Sequence, residues 1–445
     1  MGSFFFRHFG CRLNHYEGSS IISELYERGW KRTSRRSESQ IALVHACTVT
    51  ARADYKVRSE IKKIGTENPG AKIYVLGCYD SSLRKKFPGA RFIPNQIKSR
   101  ACEIIAGDFP DSGSPRIKED SHEDPRFSFF LPSNAGYSRA YLKIQDGCDE
   151  ECAYCKIPQV RGKSVSRDPE AVENEVRKLV ENGFHEIILT GVNIGDYRRE
   201  GTDFYGLLER ISRAPGNFYF RISSLEPMCM DPRIIPILEN PKFAGFLHIP
   251  IQSGSPRILR AMNRFQNMDA LSRNIEKIQN HFPDIFLGTD IMAGFPGETH
   301  TDFEHTLNFI HRHDFSRIHA FPFSLRERTP LERSLRNQNK NRQSLKEKRE
   351  YKLSSGNELA SRMARVMAMD QFLRDSYRKK TSHRVYRAIV EIKNQSLPGE
   401  EWTAVTENYQ ELSIPEPLRS GLQKKDMVHL AYDVSGILRL DKKTV

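Results

Sequence analysis

Three closely spaced thiols carry the first chemical signal. In Gly147-Cys148-Asp149-Glu150-Glu151-Cys152-Ala153-Tyr154-Cys155 the cysteines are spaced Cys-x3-Cys-x2-Cys, with an aromatic just before the last. Soft thiolates at this density hold zinc or an iron–sulfur cluster. A structural zinc site asks for four ligands, commonly in paired hooks, and no second hook lies nearby. Three thiolates on a cubane instead leave one iron without a protein ligand, open to a small molecule. Three further cysteines, Cys11, Cys47 and Cys78, each follow a short apolar run almost at once. Cys102 and Cys229 lie outside these patterns and read as packing residues. Eight cysteines in 445 residues, with no secretory leader expected, do not make a disulfide scaffold.

Elements must place those thiols. Residues 3–9, 41–46 and 72–77 read as buried parallel strands, with charged helical patterns at 17–28 and 54–64 between them. Three strand–helix junctions then present one thiol each on the same edge of a small α/β sheet, where such folds bind ligands. A linker rich in Pro, Ser and charge spans 108–133. Strand patterns resume at 141–144, 186–189, 219–222, 246–250, 285–291 and 318–321, with helical ones at 169–183, 205–213, 256–262, 268–281 and 301–313. Six such repeats predict a partial (β/α)6 barrel, whose reactive groups gather at the carboxyl ends of the strands. Residues 340–380 are basic and helical in pattern, with Leu345, Leu353, Leu359, Met363 and Val366 on one face. Runs at 385–392, 401–414 and 427–432 predict a small antiparallel β-barrel of the kind used on single-stranded nucleic acid. The expected fold class is α/β: an N-terminal parallel domain (1–107), the linker, a barrel domain (134–375) and the β-barrel (380–445).

Composition narrows the setting. The net charge is +13, from 69 Lys and Arg against 56 Asp and Glu. Between Leu331 and Val385, 15 basic residues face six acidic ones, which puts most of the surplus in one stretch and points to nucleic acid. No uncharged apolar run approaches the roughly 18–20 residues of a membrane span. The opening Met1-Gly2-Ser3-Phe4-Phe5-Phe6 breaks at Arg7, and Gly2 lacks the downstream Ser or Thr of a myristoylation site. A soluble, cytoplasmic protein with no membrane partner is expected.

The cysteine spacing with its aromatic, just after the first strand of a βα barrel, resembles the radical S-adenosylmethionine (SAM) superfamily. Gly10-Cys11-Arg12-Leu13-Asn14, Cys47-Thr48-Val49-Thr50 and Gly77-Cys78-Tyr79 resemble the N-terminal domain of its methylthiotransferases. Further matches are Ile157-Pro158 with Arg161-Gly162 and Ser166-Arg167, Leu189 through Gly195, Arg221-Ile222-Ser223-Ser224-Leu225-Glu226-Pro227, Pro250 through Gly254, and Thr289 through Glu298. Thr406-Glu407-Asn408-Tyr409 resembles the RNA-binding TRAM domain. Within the family, Arg221–Pro227 and His319-Ala320-Phe321-Pro322-Phe323-Ser324 look most like the branch acting on threonylcarbamoyl-adenosine in tRNA. Two departures stand out: His45-Ala46 replaces Asn-Thr before the second cysteine, and Arg326-Glu327-Arg328-Thr329 replaces a Gly-containing stretch.

The resemblance implies two 4Fe–4S clusters, one on Cys148, Cys152 and Cys155 and one on Cys11, Cys47 and Cys78, each with an open iron facing one cavity under an N-terminal cap. It implies SAM beside Tyr154, Thr190, Gly191, Asn193, Ser223, Gln252, Asp290 and Gly294, and substrate contacts from Arg161, Arg221, Glu226, Asn408 and Tyr409. A first SAM would methylate sulfur held at the N-terminal cluster, and a second would be cleaved to a radical that opens carbon 2 of the adenine. The implied partners are the tRNA anticodon stem-loop and an electron donor such as flavodoxin or ferredoxin. Rival readings are methylthiolation of isopentenyl-adenosine or of a ribosomal-protein aspartate, and a non-catalytic RNA-binding or electron-transfer iron–sulfur protein.

Overall fold

The computed structural model describes residues 2–109, 124–129, 137–340, 354–382, 384–393, 400–436 and 438–440. Most of the expected linker, and Leu345 and Leu353 of the expected helix, lie outside the described residues.

At the N-terminus, Ser3–His8, Ile41–Ala46 and Lys72–Gly77 form the centre of a five-stranded parallel sheet, with Lys31–Arg32 and Arg91–Phe92 at its edges. All six residues of Ile41–Ala46 are buried, as an apolar run covered on both faces requires. Phe4, Phe6, Ile21 and Leu25 pack on one face, and Phe5, Val44, Val57 and Ile61 on the other. The helices responsible are Arg12–Glu27 and Ala51–Glu67. The first begins before the expected 17–28, because its opening turn is polar and shows no apolar periodicity; Cys11 is its N-cap residue.

The barrel holds six parallel strands in chain order: Ala140–Lys143, Glu186–Thr190, Tyr219–Ile222, Phe246–His248, Phe286–Ala293 and Arg317–Pro322. A bridge from Phe220 to Phe243 joins the first three strands toward the second three. Helix signals are legible here: Pro169 opens Pro169–Glu181, and the Asp168 side chain accepts the Ala171 N–H at 2.8 Å. Gln145–Asp146 pairs antiparallel with Val165–Ser166, closing the ends of the cysteine loop into a flap the sequence does not announce.

Helix Gly356–Thr381 lies against the last barrel strand, where Asp370 accepts the Ile318 N–H at 2.7 Å. Val366, Leu373 and Tyr377 are buried along it, while Leu359 and Met363 are half-buried. Part of its positive charge is committed internally: Arg362 pairs with Glu298 at 2.5 Å and Arg365 with Glu304. The tail is a five-stranded antiparallel half-barrel, ordered 411–413, 401–406, 386–393, 427–432, 438–440. The expected single run at 401–414 breaks because the chain turns at 407–410, with Tyr409 at φ +63°. Arg139 to Glu391 at 2.7 Å ties this unit to the barrel, and the Tyr409 ring sits 4.8 Å from that of Phe246. Among the described residues no helix is long and apolar enough to cross a membrane.

Candidate active site

A cavity of about 320 Å³, within the usual range for a small-molecule site, opens beyond the carboxyl ends of the barrel strands. Cys148, Cys152 and Cys155 line it, as do Val49 and Thr50 from the N-terminal unit. The cysteine loop is pinned along its length. The Cys148 N–H donates to Gly162 O at 3.1 Å, the Ala153 N–H to Met262 O at 2.9 Å, and the Cys155 N–H to Cys152 O at 3.0 Å. Gly147 begins the loop at φ +74°, where a Cβ would run into the Lys163 carbonyl oxygen. All eight cysteines are free thiols. Burial pushes Cys148 up to about 12 and Cys155 to about 11, and raises Cys152 as well. Thiolates this close are costly in a dry site unless a metal centre neutralises them, so the donor set fits an iron–sulfur cluster.

The wall facing that loop is polar and incompletely satisfied. Gln145 Oε1 accepts the N–H groups of Val192 and Asn193, each at 2.9 Å, fixing the turn after strand Glu186–Thr190. Gly191 sits tight against the same Gln145 oxygen. Asn193 Oδ1, Ser223 Oγ and Gln252 Oε1 are buried without a hydrogen-bond partner, and Asn193 and Gln252 line the cavity. Gln252 is held at φ +63°, a strained setting for a non-glycine residue. Orphaned acceptors cost free energy unless a donor arrives, and the ammonium of an amino-acid moiety is such a donor. Tyr154, half-buried and edge-on to Phe295, offers the cavity an apolar ring surface. Asp290 lies 3.1 Å from His248 and 3.6 Å from His319; burial opposes its ionisation, and the histidines hold its carboxyl below the ordinary value. The residues present therefore fit SAM.

The second trio gathers on the edge of the N-terminal sheet. Cys11 caps the first helix, while Cys47 and Cys78 follow strands Ile41–Ala46 and Lys72–Gly77 directly. A Cβ on Gly10 would lie 3.0 Å from Cys47 Cβ and 3.3 Å from its Sγ, so the Cys11 turn is packed on Cys47. Arg161 Nε donates to Cys78 Sγ at 3.1 Å. The same guanidinium reaches Asp146 Oδ1 at 2.9 Å, Glu17 Oε1 at 3.2 Å and Asn14 Oδ1 at 2.7 Å. Lys98 and Lys143 meet Glu17 at 2.6 and 2.9 Å. Burial works against ionising Glu17, yet Arg161, Lys143 and Lys98 hold its carboxyl well below its usual value. Three cations against two carboxylates leave this buried knot net positive beside Cys78, which suits an anionic cluster.

Several expected residues stand elsewhere. Arg161, expected at substrate, belongs to that knot. Arg221 is fully buried, bound to Glu186 Oε1 at 2.7 Å and Thr406 O at 3.3 Å, with Phe246 and Tyr409 rings against it. Asn408 spends its amide on Thr406 and Tyr432. Tyr409 accepts from Arg12 Nη2 at 3.1 Å. Arg161, Arg221 and Tyr409 brace the units against one another, Asn408 fastens the half-barrel internally, and none of the four lines the cavity; Glu226 does, paired with Arg264. Thr190 is buried at its strand end, and Gly294 faces Leu359 with its N–H on Glu298 at 2.8 Å, both off the cavity wall. Residues missed from sequence are Gln145, Arg264, His248 and Arg12, whose Nη1 also donates to Ser223 O at 3.1 Å. Arg12 lies inside the recognised Gly10–Asn14 motif and His248 two residues before the one that starts at Pro250, which is the signal that could have found them. Cys102 is buried in the N-terminal core and Cys229 packs against the barrel core, as expected of packing cysteines.

Comparison with known proteins agrees with this chemistry. The radical SAM superfamily profile matches residues 142–310, and that described as uncharacterized protein family UPF0004 matches 3–92. The threonylcarbamoyladenosine tRNA methylthiotransferase MtaB of Bacillus subtilis (strain 168) is 34% identical over 346 residues, 75% of this chain and 76% of that protein. The tRNA-2-methylthio-N(6)-dimethylallyladenosine synthase of Hydrogenobaculum sp. (strain Y04AAS1) is 33% identical over 74% of this chain and 78% of its own. In fold, the radical S-adenosylmethionine methyltransferase TsrM from Kitasatospora setae, solved with cobalamin and a [4Fe-4S] cluster, aligns with TM-score 0.56 at 13% identity, over 76% of this chain and 75% of that one. The chain belongs to the radical SAM tRNA methylthiotransferases, enzymes whose cofactors are SAM and two 4Fe–4S clusters.

Proposed function

We propose that this enzyme attaches a methylthio group to carbon 2 of threonylcarbamoyl-adenosine in the tRNA anticodon stem-loop. The observation that carries the reading is the shared chamber: Val49 and Thr50, just past Cys47, line the same cavity as Cys148, Cys152 and Cys155. Cys11, Cys47 and Cys78 hold one cluster in this reading, and Cys148, Cys152 and Cys155 the other. The target carbon carries only hydrogen, without a leaving group or a usefully acidic proton, so acid–base and nucleophilic catalysis have little to act on. When bound at its reduced cluster, SAM supplies a primary carbon radical able to take such a hydrogen atom.

The chain's own work is to bind, orient and keep water out. Asn193, Ser223 and Gln252 offer their free acceptors to the SAM ammonium, while Tyr154 and Asp290 flank the remainder. Glu226, fixed by Arg264 on the cavity wall, is the residue that meets the substrate in this reading. The antiparallel tail, read as a TRAM-like RNA-binding domain over 380–445, and the exposed cations at the end of helix Gly356–Thr381 grip phosphates. An acidic electron carrier such as flavodoxin or ferredoxin supplies reducing power in the cytoplasm. The choice of threonylcarbamoyl-adenosine is supported by relatives of that name at 32–34% identity, alongside the Arg221–Pro227 and His319–Ser324 segments. Family membership sets aside the non-catalytic iron–sulfur reading.

Nucleoside mass spectrometry of tRNA from cells lacking, then regaining, this gene tests the proposal. Loss and return of the 2-methylthio form of threonylcarbamoyl-adenosine is expected. Loss of the dimethylallyl-adenosine form instead would reassign the substrate, and unchanged tRNA with an unmodified ribosomal-protein aspartate would overturn it.

A further inference from the structure

In the loop that follows the cavity-lining Ser324, one residue holds a conformation its type disfavours. Arg328 is exposed and has φ +65°. Left-handed backbone is costly for a long side chain, and residues kept there concentrate at functional sites. The loop that keeps it is pinned on three sides. The Arg328 N–H donates to Glu332 Oε2 at 3.2 Å, and its carbonyl accepts from Gln159 Nε2 at 2.6 Å. Arg326, buried, donates to Thr48 Oγ1 and Asp54 Oδ2, each at 2.9 Å. Ser324, at the start of the same loop, lines the cavity. So the backbone is fixed between the cluster loop and the N-terminal unit, while the guanidinium is left in solvent. Among the described residues no acceptor engages it.

The neighbouring element extends this surface. Ala51, whose N–H donates to Ser324 Oγ at 3.3 Å, opens helix Ala51–Glu67. In its first turns Arg52 and Lys56 are exposed, and Tyr55 is 66% exposed. Positions 52, 55 and 56 share one helix face. Asp54 is already engaged by Arg58 and Arg326, which leaves Glu327 as the opposing charge in the loop. Cations flanking an open aromatic ring suit single-stranded nucleic acid, with phosphates on the cations and a base on the ring.

We propose that Arg328, Arg52 and Tyr55 form an entry rim for single-stranded RNA, the cations on phosphates beside the target adenosine and the tyrosine stacked on a neighbouring base. The inference rests on the tRNA reading above and adds to it the surface that holds the loop as the adenine leaves its stack.

The test is equilibrium binding of an anticodon stem-loop RNA to the full-length, cluster-loaded enzyme across a salt series, with Tm measured in parallel. Arg328→Gly relieves the backbone and removes the charge. It is expected to raise Tm by a few degrees, weaken RNA binding about five-fold and lower the log–log salt slope by about one. Arg328→Lys restores affinity and slope. Tyr55→Ala weakens binding about ten-fold at an unchanged slope, because stacking releases no counterion. Parental affinity for Arg328→Gly at every salt overturns the rim and leaves the tRNA reading standing. A fall in Tm accompanying lost binding also overturns it, marking Arg328 as structural. A parent enzyme that does not bind the stem-loop overturns both.

Discussion

Asp196 records the character of the chamber in one carboxyl group. It accepts from Asn193 Nδ2 at 2.6 Å, and burial, with Glu150, Asp149 and Glu226 behind it, lifts its pKa to about 6. The unfolded chain titrates the same group near 4. The folded state therefore binds the proton more tightly, and the associated stability is present at low pH and lost as pH rises from about 4 to about 6. Discounted for a half-exposed side chain, the cost above that window is about 1 kcal/mol. Asp196→Asn keeps an acceptor for Asn193 and cannot ionise, so its Tm advantage over the parent grows between pH 4 and pH 7. Calorimetry at both ends checks this; an advantage that does not vary with pH contradicts the assigned cause. At this scale the sequence was most legible where chemistry lives in residue type and spacing, as with Cys148, Cys152 and Cys155. It was least legible for Arg161 and Arg221, since a lone arginine does not say which distant carboxylate will bury it.

Among the elements, the loop from Gly147 to Cys155 is the most tightly specified. A side chain at position 147 must displace the Lys163 carbonyl, which moves Cys148 off its bond to Gly162. Gly147→Ala is expected to cost the enzyme about half its iron and sulfide, since the other trio sits on a separate sheet. Iron assay after anaerobic purification decides it, and loss of all the metal would mean the two sites are not independent. The six barrel strands and the three central strands of the N-terminal sheet were read from sequence to within two residues at each end, because a doubly covered strand is an unbroken apolar run. Helix Arg12–Glu27 was read too short, its first turn being packed through Arg12, Leu13 and Asn14 rather than a periodic stripe. The turn at 407–410 was invisible for a similar reason: Tyr409 takes its positive φ to reach Phe246 and Arg12 in other units.

For the molecule as a whole, Glu17 is the keystone between the N-terminal unit and the barrel. It sits on the first helix, yet Lys143 and Arg161 come from the barrel and Lys98 from its own unit. Removing one partner of a buried charge cluster leaves the others uncompensated, so Glu17→Gln is expected to lose about 3 kcal/mol of stability. Chemical denaturation reads this out, and a loss below about 1 kcal/mol would show the cations relaxing into solvent. Such a knot cannot be foreseen from one-dimensional patterning, because its members are scattered from position 17 to 161. Arg12 binds the same scales together in a different sense. It neighbours the cysteine that heads the first helix, holds the backbone of Ser223, and grasps the hydroxyl of Tyr409 near the far end of the chain. Any shift of the tail is thereby levered onto Cys11 at the head of the first helix, so in the proposed reading RNA docking on the tail and the setting of that thiol share one mechanical linkage.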